Sequence, residues 1–285
     1  MSEAPISGGE PKLSSGSAPE EVAERDLGQL GPGQARVMSR RAIVVEIWIV
    51  LGLSLGASAV YAVLSLWQSL LSRVPLRAQT AVINPSAATS SSLLNLVYEL
   101  VGIAVALVPV ALVVYLLFGS GESVGDIGLD THRAGREALW GALLAAGVGG
   151  AGLALYIGAY HAGLNVNVVP TNLPDVWWRI PALVLVAVQD GVLEEVVVCG
   201  YLLHRLQQIA WRENRSLATS ALLRGTYHLY QGLGGFVGNL IMGLIFGRLY
   251  QRQGRLGRLV LAHSLIDAGA FIGYVALRGK VSWLP

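Results

Sequence analysis

Two adjacent carboxylates, Glu194 and Glu195, lie in an otherwise apolar run from Ile180 to Leu203. An ionised side chain at the centre of a membrane helix costs roughly 2.5–3.5 kcal/mol on insertion scales, so such a group marks a functional site with a partner to be found. The candidate partners are His228, His263 and Asp267. His263 and Asp267 are spaced i, i+4, which puts both on one face of a helix. That spacing suits metal ligation, a carboxylate orienting an imidazole, or two groups holding one substrate oxygen. Burial and mutual repulsion favour the protonated acid, so a glutamate acting as general base here needs cationic or hydrogen-bonding neighbours, or local water.

Read as an α-helix, the same run places Asp190, Glu194, Tyr201 and Arg205 on one stripe. Glu195 lies about 100° away from Glu194, with Cys199 one turn further on. The two glutamates are therefore expected to differ in role: one faces the reaction centre while the other ties the helix to a neighbour. His228 sits in the string Arg224-Gly-Thr-Tyr-His-Leu-Tyr-Gln231 as the third polar centre. His132, His161 and His204 fall at loops and helix ends, where solvated surface is expected.

The elements that must hold these groups are membrane helices. The chain has 285 residues, is 53% hydrophobic and only 13% charged, against about 25% charged in a typical soluble domain. Several stretches exceed the roughly 18 apolar residues needed to cross a bilayer. Expected spans run Ala42 to Leu70, Leu93 to Phe118, Ala138 to Tyr160, Trp177 to Leu206, Leu217 to Gln231, Gly235 to Tyr250 and Leu259 to Leu277. The fold class is thus an all-α, polytopic transmembrane bundle of about seven spans (six to eight), with the polar centres in the last four. Residues 1–38, rich in Ser, Gly, Pro and Glu, form a tail expected to be disordered. Residues 39–176 supply the N-terminal helices and loops, 177–278 the core, and 279–285 a short tail. The spacings Gly52/Gly56 and Gly243/Gly247 favour close helix packing.

Arginine placement sets the orientation, because cytoplasmic loops are enriched in Lys and Arg. A cytoplasmic N-terminus puts Arg36, Arg40, Arg41, Arg133, Arg136, Arg205, Arg212, Arg215, Arg252, Arg255 and Arg258 inside, against Arg73, Arg77, Arg278 and Lys280 outside. Asn84 to Ser92 and His161 to Asp175 then become external loops, and Glu122 to Asp130 a cytoplasmic or interfacial turn. The net charge of +2 gives no nucleic-acid surface, and the single cysteine precludes an intrachain disulfide.

The polar centres, in this order and on separate helices, resemble the CPBP intramembrane proteases, the family of CAAX prenyl proteases and bacteriocin-processing, Abi-like enzymes. The family pattern is Glu-Glu-x-x-x-Arg, then aromatic-x-x-x-His, then His-x-x-x-Asn/Asp. Glu194-Glu195, Tyr227-His228 and His263-Ser264-Leu265-Ile266-Asp267 match in place, over about Trp177 to Tyr274. The resemblance implies an endopeptidase in a bacterial-type plasma membrane, acting on a membrane-anchored or lipidated peptide or protein beside membrane lipid. Glu194 with His228 would activate water, while His263 and Asp267 would position the scissile carbonyl or stabilise its oxyanion. The metalloprotease label often given to the family implies a zinc ion on His228, His263, Asp267 and a glutamate; the other family mechanism needs no cofactor, only glutamate-activated water.

Two positions depart from the family pattern. The family arginine is Cys199 here, and the aromatic four residues before the histidine is Arg224. Either Arg224 supplies from the next helix the cation that position 199 lacks, pairing with Glu195, or it snorkels to an interface while Cys199 simply packs. An ionised Asp267 cannot donate to an oxyanion as Asn can, so it would be protonated, orient His263, or bind metal.

Other readings keep the same residues. The chain could be a non-catalytic scaffold or bacteriocin-immunity factor holding a peptide in the polar cavity, or a proton-coupled transporter using Asp190, the glutamates and the histidines as a relay. Against the last, no internal repeat is visible. Gly52-Leu-Ser-Leu-Gly56 matches a hydrolase elbow string without its strand-turn-helix context, and there is neither a His-Glu-x-x-His nor a phosphate-binding loop.

Overall fold

The protein is seen in a computed structural model that describes residues 38–88, 90–130 and 134–281. The expectations for residues 1–37, for His132 and Arg133, and for residues 282–285 lie outside these. Helix α1 (Arg40–Gly52) starts where the Ser39 hydroxyl accepts from the Ala42 N–H at 3.2 Å, a side-chain cap for an otherwise unpaired donor. It meets α2 (Leu55–Leu71) at a 52° bend. The Ser54 hydroxyl donates to Val50 O at 2.6 Å in that bend, and a Cβ at Gly56 would lie 2.6 Å from Leu51 O. Gly56 therefore serves the bend rather than packing against another helix, and the expected first span is a broken one.

Strand β1 (Thr80–Asn84) follows, then α3 (Ser92–Ala106), α4 (Val108–Gly119), α5 (Ala134–His161), β2 (Asn167–Thr171) and α6 (Arg179–Glu194). The last runs without a break into a π-helical segment, Glu195–Leu202, and on into α7 (Leu203–Gln208). The chain ends with α8 (Glu213–Tyr227), α9 (Leu233–Gln253) and α10 (Leu256–Leu277). Among the described residues, four helical stretches are long and apolar enough to cross a membrane: Ser92–Gly119 (α3 continued by α4), Ala134–His161, Leu233–Gln253 and Leu256–Leu277. The bent pair α1 and α2 makes a fifth if it forms one span. Two segments of the expected seven do not reach that standard. The α6 region carries its charges across a π-helical interruption, and α8 is only 15 residues long, with Arg215 and Arg224 among them.

Helix α10 packs on α5 and α6, α9 on α5 and α8, and α2 on α8. Glycines set the closest approaches. A Cβ at Gly191 would meet Ser264 N at 2.9 Å, and one at Gly243 would meet Ala221 Cα at 2.9 Å. Side chains cannot separate α6 from α10 or α8 from α9 at these points, which is the close packing small residues permit. All eight residues of the π-helical segment are buried, and Val50, Val113, Leu117, Ile127, Phe246 and Leu259 pack in the same core. Large apolar side chains such as Trp48, Trp67 and Tyr115 stay exposed on the outer faces, where lipid rather than water would cover them.

The loops expected on one side of the membrane do more than connect. β1 and β2 pair in parallel, Thr80 opposite Asn167 and Asn84 opposite Thr171, a small sheet that the all-helical expectation lacks. Asn165 Oδ1 accepts from Gly234 N at 2.8 Å and Gly235 N at 3.3 Å, capping α9. The same residue bridges Gly232, whose φ of 102° favours glycine. The turn after His228 is thereby fixed to the start of β2.

Candidate active site

Glu195 is the anchor. Its Oε1 lies 2.6 Å from Arg224 Nη2 and 2.8 Å from His263 Nδ1, and the Glu195 and Arg224 side chains are both 0% exposed. A buried carboxylate is tolerable only when paired and hydrogen-bonded, and here a guanidinium from α8 and an imidazole from α10 do both. The Arg224 guanidinium also stands 5.7 Å from the Phe246 ring centroid, within cation–π range. Cys199 borders both charged groups. Of the two readings of Arg224, the one pairing it with Glu195 is the arrangement found.

Glu194 is the accessible carboxylate of the two, with 12% of its side chain exposed. The Tyr227 hydroxyl donates to its Oε2 at 2.6 Å. His228 Nε2 stands 3.9 Å from Oε1, His263 Nε2 stands 3.9 Å from Oε2, and Arg224 Nη1 is 3.8 Å from Oε2. His228 Nδ1 is 3.0 Å from Arg224 O. A carbonyl can only accept, so the Nδ1 carries a proton and Nε2 is turned toward Glu194. Tyr227 and Tyr230 flank the His228 ring at centroid distances of 4.7 and 6.3 Å.

His263 spans the site. Its Nδ1 faces Glu195, and its Nε2 lies 3.4 Å from Asp267 Oδ2 one helical turn along. Asp190, one turn before Glu194, accepts from Gln189 Nε2 at 3.0 Å and lies close enough to Asp267 and Glu194 for their charges to interact. Glu194, Glu195, Arg224, His228, His263 and Asp267 are thus brought together, with Asp190 and Cys199 at their edge.

Tyr201 is placed elsewhere. Its hydroxyl donates to Glu46 Oε1 of α1 at 2.9 Å, in a second polar cluster. The reason is the π-helical segment: an i→i+5 ladder advances each residue by less than the roughly 100° of an α-helix, so the expected stripe does not persist from Glu194 to Tyr201. Arg205 belongs to the same second cluster. Its Nε donates to Glu46 Oε1 at 2.8 Å, Nη1 to Gln208 Oε1 at 2.9 Å, Nη2 to Ser120 Oγ at 3.0 Å, and it also bonds Glu122. His204, expected on solvated surface, stands 2.5 Å from Glu122 Oε1 instead. Burial opposes ionisation of Glu122, yet the hydrogen bonds from His204 and Ser120 and the charges of His204 and Arg205 hold its carboxyl below the usual range.

Nδ1 of each histidine suggested for zinc is committed, one to Arg224 O and the other to Glu195, which leaves Nε2 as the ring nitrogen open to a ligand. Among the described residues, no three His, Cys, Asp or Glu side chains are disposed to hold a metal ion.

Tyr227 is a member of the site that the spacing of charges does not predict: it stands in the matched string beside His228, but the contact of its hydroxyl with Glu194 depends on how α8 meets α6, for which the sequence has no local signal. Glu46 was hidden in the same way, as one carboxylate in an apolar first span.

No curated protein and no solved structure is significantly similar to the chain. Residues 176–269 match the family model described as Type II CAAX prenyl endopeptidase Rce1-like, with α1 to α5 outside the match. The segment holding the site's glutamates, histidines, Arg224 and Asp267 is thus similar to the Rce1-like type II CAAX prenyl endopeptidases, which supports an intramembrane protease carried by a helical membrane protein.

Proposed function

We propose that the protein is an intramembrane endopeptidase in which Glu194 activates the hydrolytic water. The observation that carries this reading is the position of Glu194: the accessible carboxylate of the pair, set between His228 Nε2 and His263 Nε2 at 3.9 Å each. Such separations suit one water bridging carboxylate and imidazole. Glu194 takes a proton from that water as its oxygen bonds to the scissile carbonyl carbon. His263 acts as an imidazolium, its Nδ1–H donated to Glu195 and its Nε2–H, oriented by Asp267, donated to the developing oxyanion. Collapse of the tetrahedral intermediate breaks the C–N bond, and the proton held by Glu194 passes to the leaving amine, giving a carboxylate and an amine. No step is routed through a metal.

The substrate is a membrane-associated or lipidated protein or peptide, reached from within the bilayer by a chain whose N-terminus is cytoplasmic in a bacterial-type plasma membrane. An arginine missing at position 199 would suit a non-catalytic scaffold; against that reading, Arg224 gives the buried Glu195 its cation.

The test is cleavage of a membrane-anchored peptide library by the protein in lipid nanodiscs, comparing wild type, Glu194→Gln and His263→Ala, each with and without a chelator. Cleavage by wild type alone, insensitive to the chelator, is expected. Cleavage by Glu194→Gln at the wild-type rate would refute the assignment of the base.

A further inference from the structure

The π-helical segment Glu195–Leu202 is an irregular ladder in the middle of a buried helix, and such segments are rare and mostly confined to single turns. Side chains from other elements engage it along its length. At its start Glu195 is tied to Arg224 and His263. In its middle the Ser220 hydroxyl donates to Val198 O at 3.2 Å, and the Tyr250 hydroxyl to Gly200 O at 3.4 Å. At its end Tyr201 bonds Glu46, and Arg205, 1% exposed, binds Glu46, Glu122 and Ser120. The first two of these attachments come from within residues 176–269. The third joins the segment to α1 and to the turn after α4, which lie outside the family match.

We propose that Arg205 is a positioning residue, through which α1 and the Glu122 turn hold the π-helical segment in register and so keep Glu194 and Glu195 on the site. A guanidinium suits this role because its donors diverge: Nε reaches α1 while Nη1 and Nη2 reach the turn after α4. Loss of that hold leaves the segment free to relax toward an α-helical ladder. The register of residues after the glutamates would then change, and the packing of Cys199 against Glu195 and Arg224 would loosen.

Cys199, the single cysteine of the chain and 0% exposed, reports on this directly. The experiment measures its labelling by a small membrane-permeant reagent, methyl methanethiosulfonate, in nanodiscs, for wild type, Arg205→Gln, Tyr201→Phe and Glu137→Gln. The last removes a different ion pair, Glu137 with Arg258 at 2.6 Å, and controls for general loosening. Labelling is expected to rise at least tenfold in Arg205→Gln and about threefold in Tyr201→Phe, and to stay within twofold in Glu137→Gln. Tyr201→Phe deletes a single hydroxyl and keeps the question open to refutation if Arg205→Gln does not fold. In the cleavage assay, which rests on the function proposed above, Arg205→Gln should lower kcat at least tenfold and leave KM within twofold. Absence of cleavage by wild type would count against the proteolytic reading while the labelling still decides the clamp. Labelling unchanged in both cluster variants, or raised as much by Glu137→Gln, would overturn the proposal.

Discussion

Replacing Arg224 by phenylalanine, the aromatic residue type of the family pattern, should be severe, and adding arginine at position 199 should recover much of the loss. Arg224 and Glu195 are both fully buried and 2.6 Å apart. Removing one member of a buried pair strands the other charge, at a cost of about 3–5 kcal/mol. His263 remains as a partner for Glu195 at 2.8 Å, which argues for the lower part of that range, about 3 kcal/mol. The phenylalanine keeps an apolar contact with the neighbouring Phe246 ring, so most of the loss should be electrostatic. Cys199 is one helical turn from Glu195 and already borders the pair. An arginine there can reach the same carboxylate, and Cys199→Arg with Arg224→Phe should recover about 2 kcal/mol. Cys199→Arg alone should itself destabilise, by crowding a second guanidinium into a packed core. Unfolding in detergent, followed by denaturant titration of all four proteins, closes the double-mutant cycle. A cycle showing no coupling, or a loss of under about 1 kcal/mol in Arg224→Phe, would refute the claim that Arg224 replaces the family arginine.

Glu194→Gln should lower kcat by about 10²–10⁴-fold, the usual contribution of a general base, while a pull-down of uncleaved peptide still succeeds. Tyr227→Phe removes a hydrogen bond to an ionised group, a contribution of about 1.5–3 kcal/mol; single-turnover cleavage should slow by at least tenfold with folding unchanged. Gly243→Val forces a side chain into Ala221 Cα, 2.9 Å from where its Cβ would stand, and thermal unfolding should show a loss of about 1–3 kcal/mol, as overpacking does. The Glu122 carboxyl is held below its ordinary value of 4.5 in the folded protein. Its stabilisation is therefore complete above about pH 4.5 and fades as the pH falls toward the folded value. Melting temperatures between pH 3 and 6 should decline more steeply on acidification for wild type than for Glu122→Gln.

The site was legible where charge had to be explained and illegible where backbone geometry decided. Glu194, Glu195, His228, His263 and Asp267 stand out because ionisable groups in apolar runs demand partners, whereas Arg224 stands out only against the family pattern, which left both pairing with Glu195 and snorkelling open. Nothing in Glu-Val-Val-Val-Cys-Gly-Tyr-Leu distinguishes a π-helical from an α-helical ladder, since its apolar residues are buried in either. The hydroxyls that meet its carbonyls, Ser220 and Tyr250, come from 22 and 50 residues away in sequence. Tyr201 accordingly faces Glu46 and not the expected stripe, and the pair that Glu46 forms with Arg205 spans 159 positions, beyond any local signal. The sheet of β1 and β2 escaped for a related reason: each strand is five residues long, too short to show an alternating pattern, and it exists only because two loops meet. Helices need just their own sequence to satisfy the backbone in a bilayer, so their positions can be read locally. The alignment of the site's polar groups between helices is set by long-range polar contacts, and a change at Glu46 or Tyr201, far from Glu194 in sequence, should therefore reach the proposed chemistry.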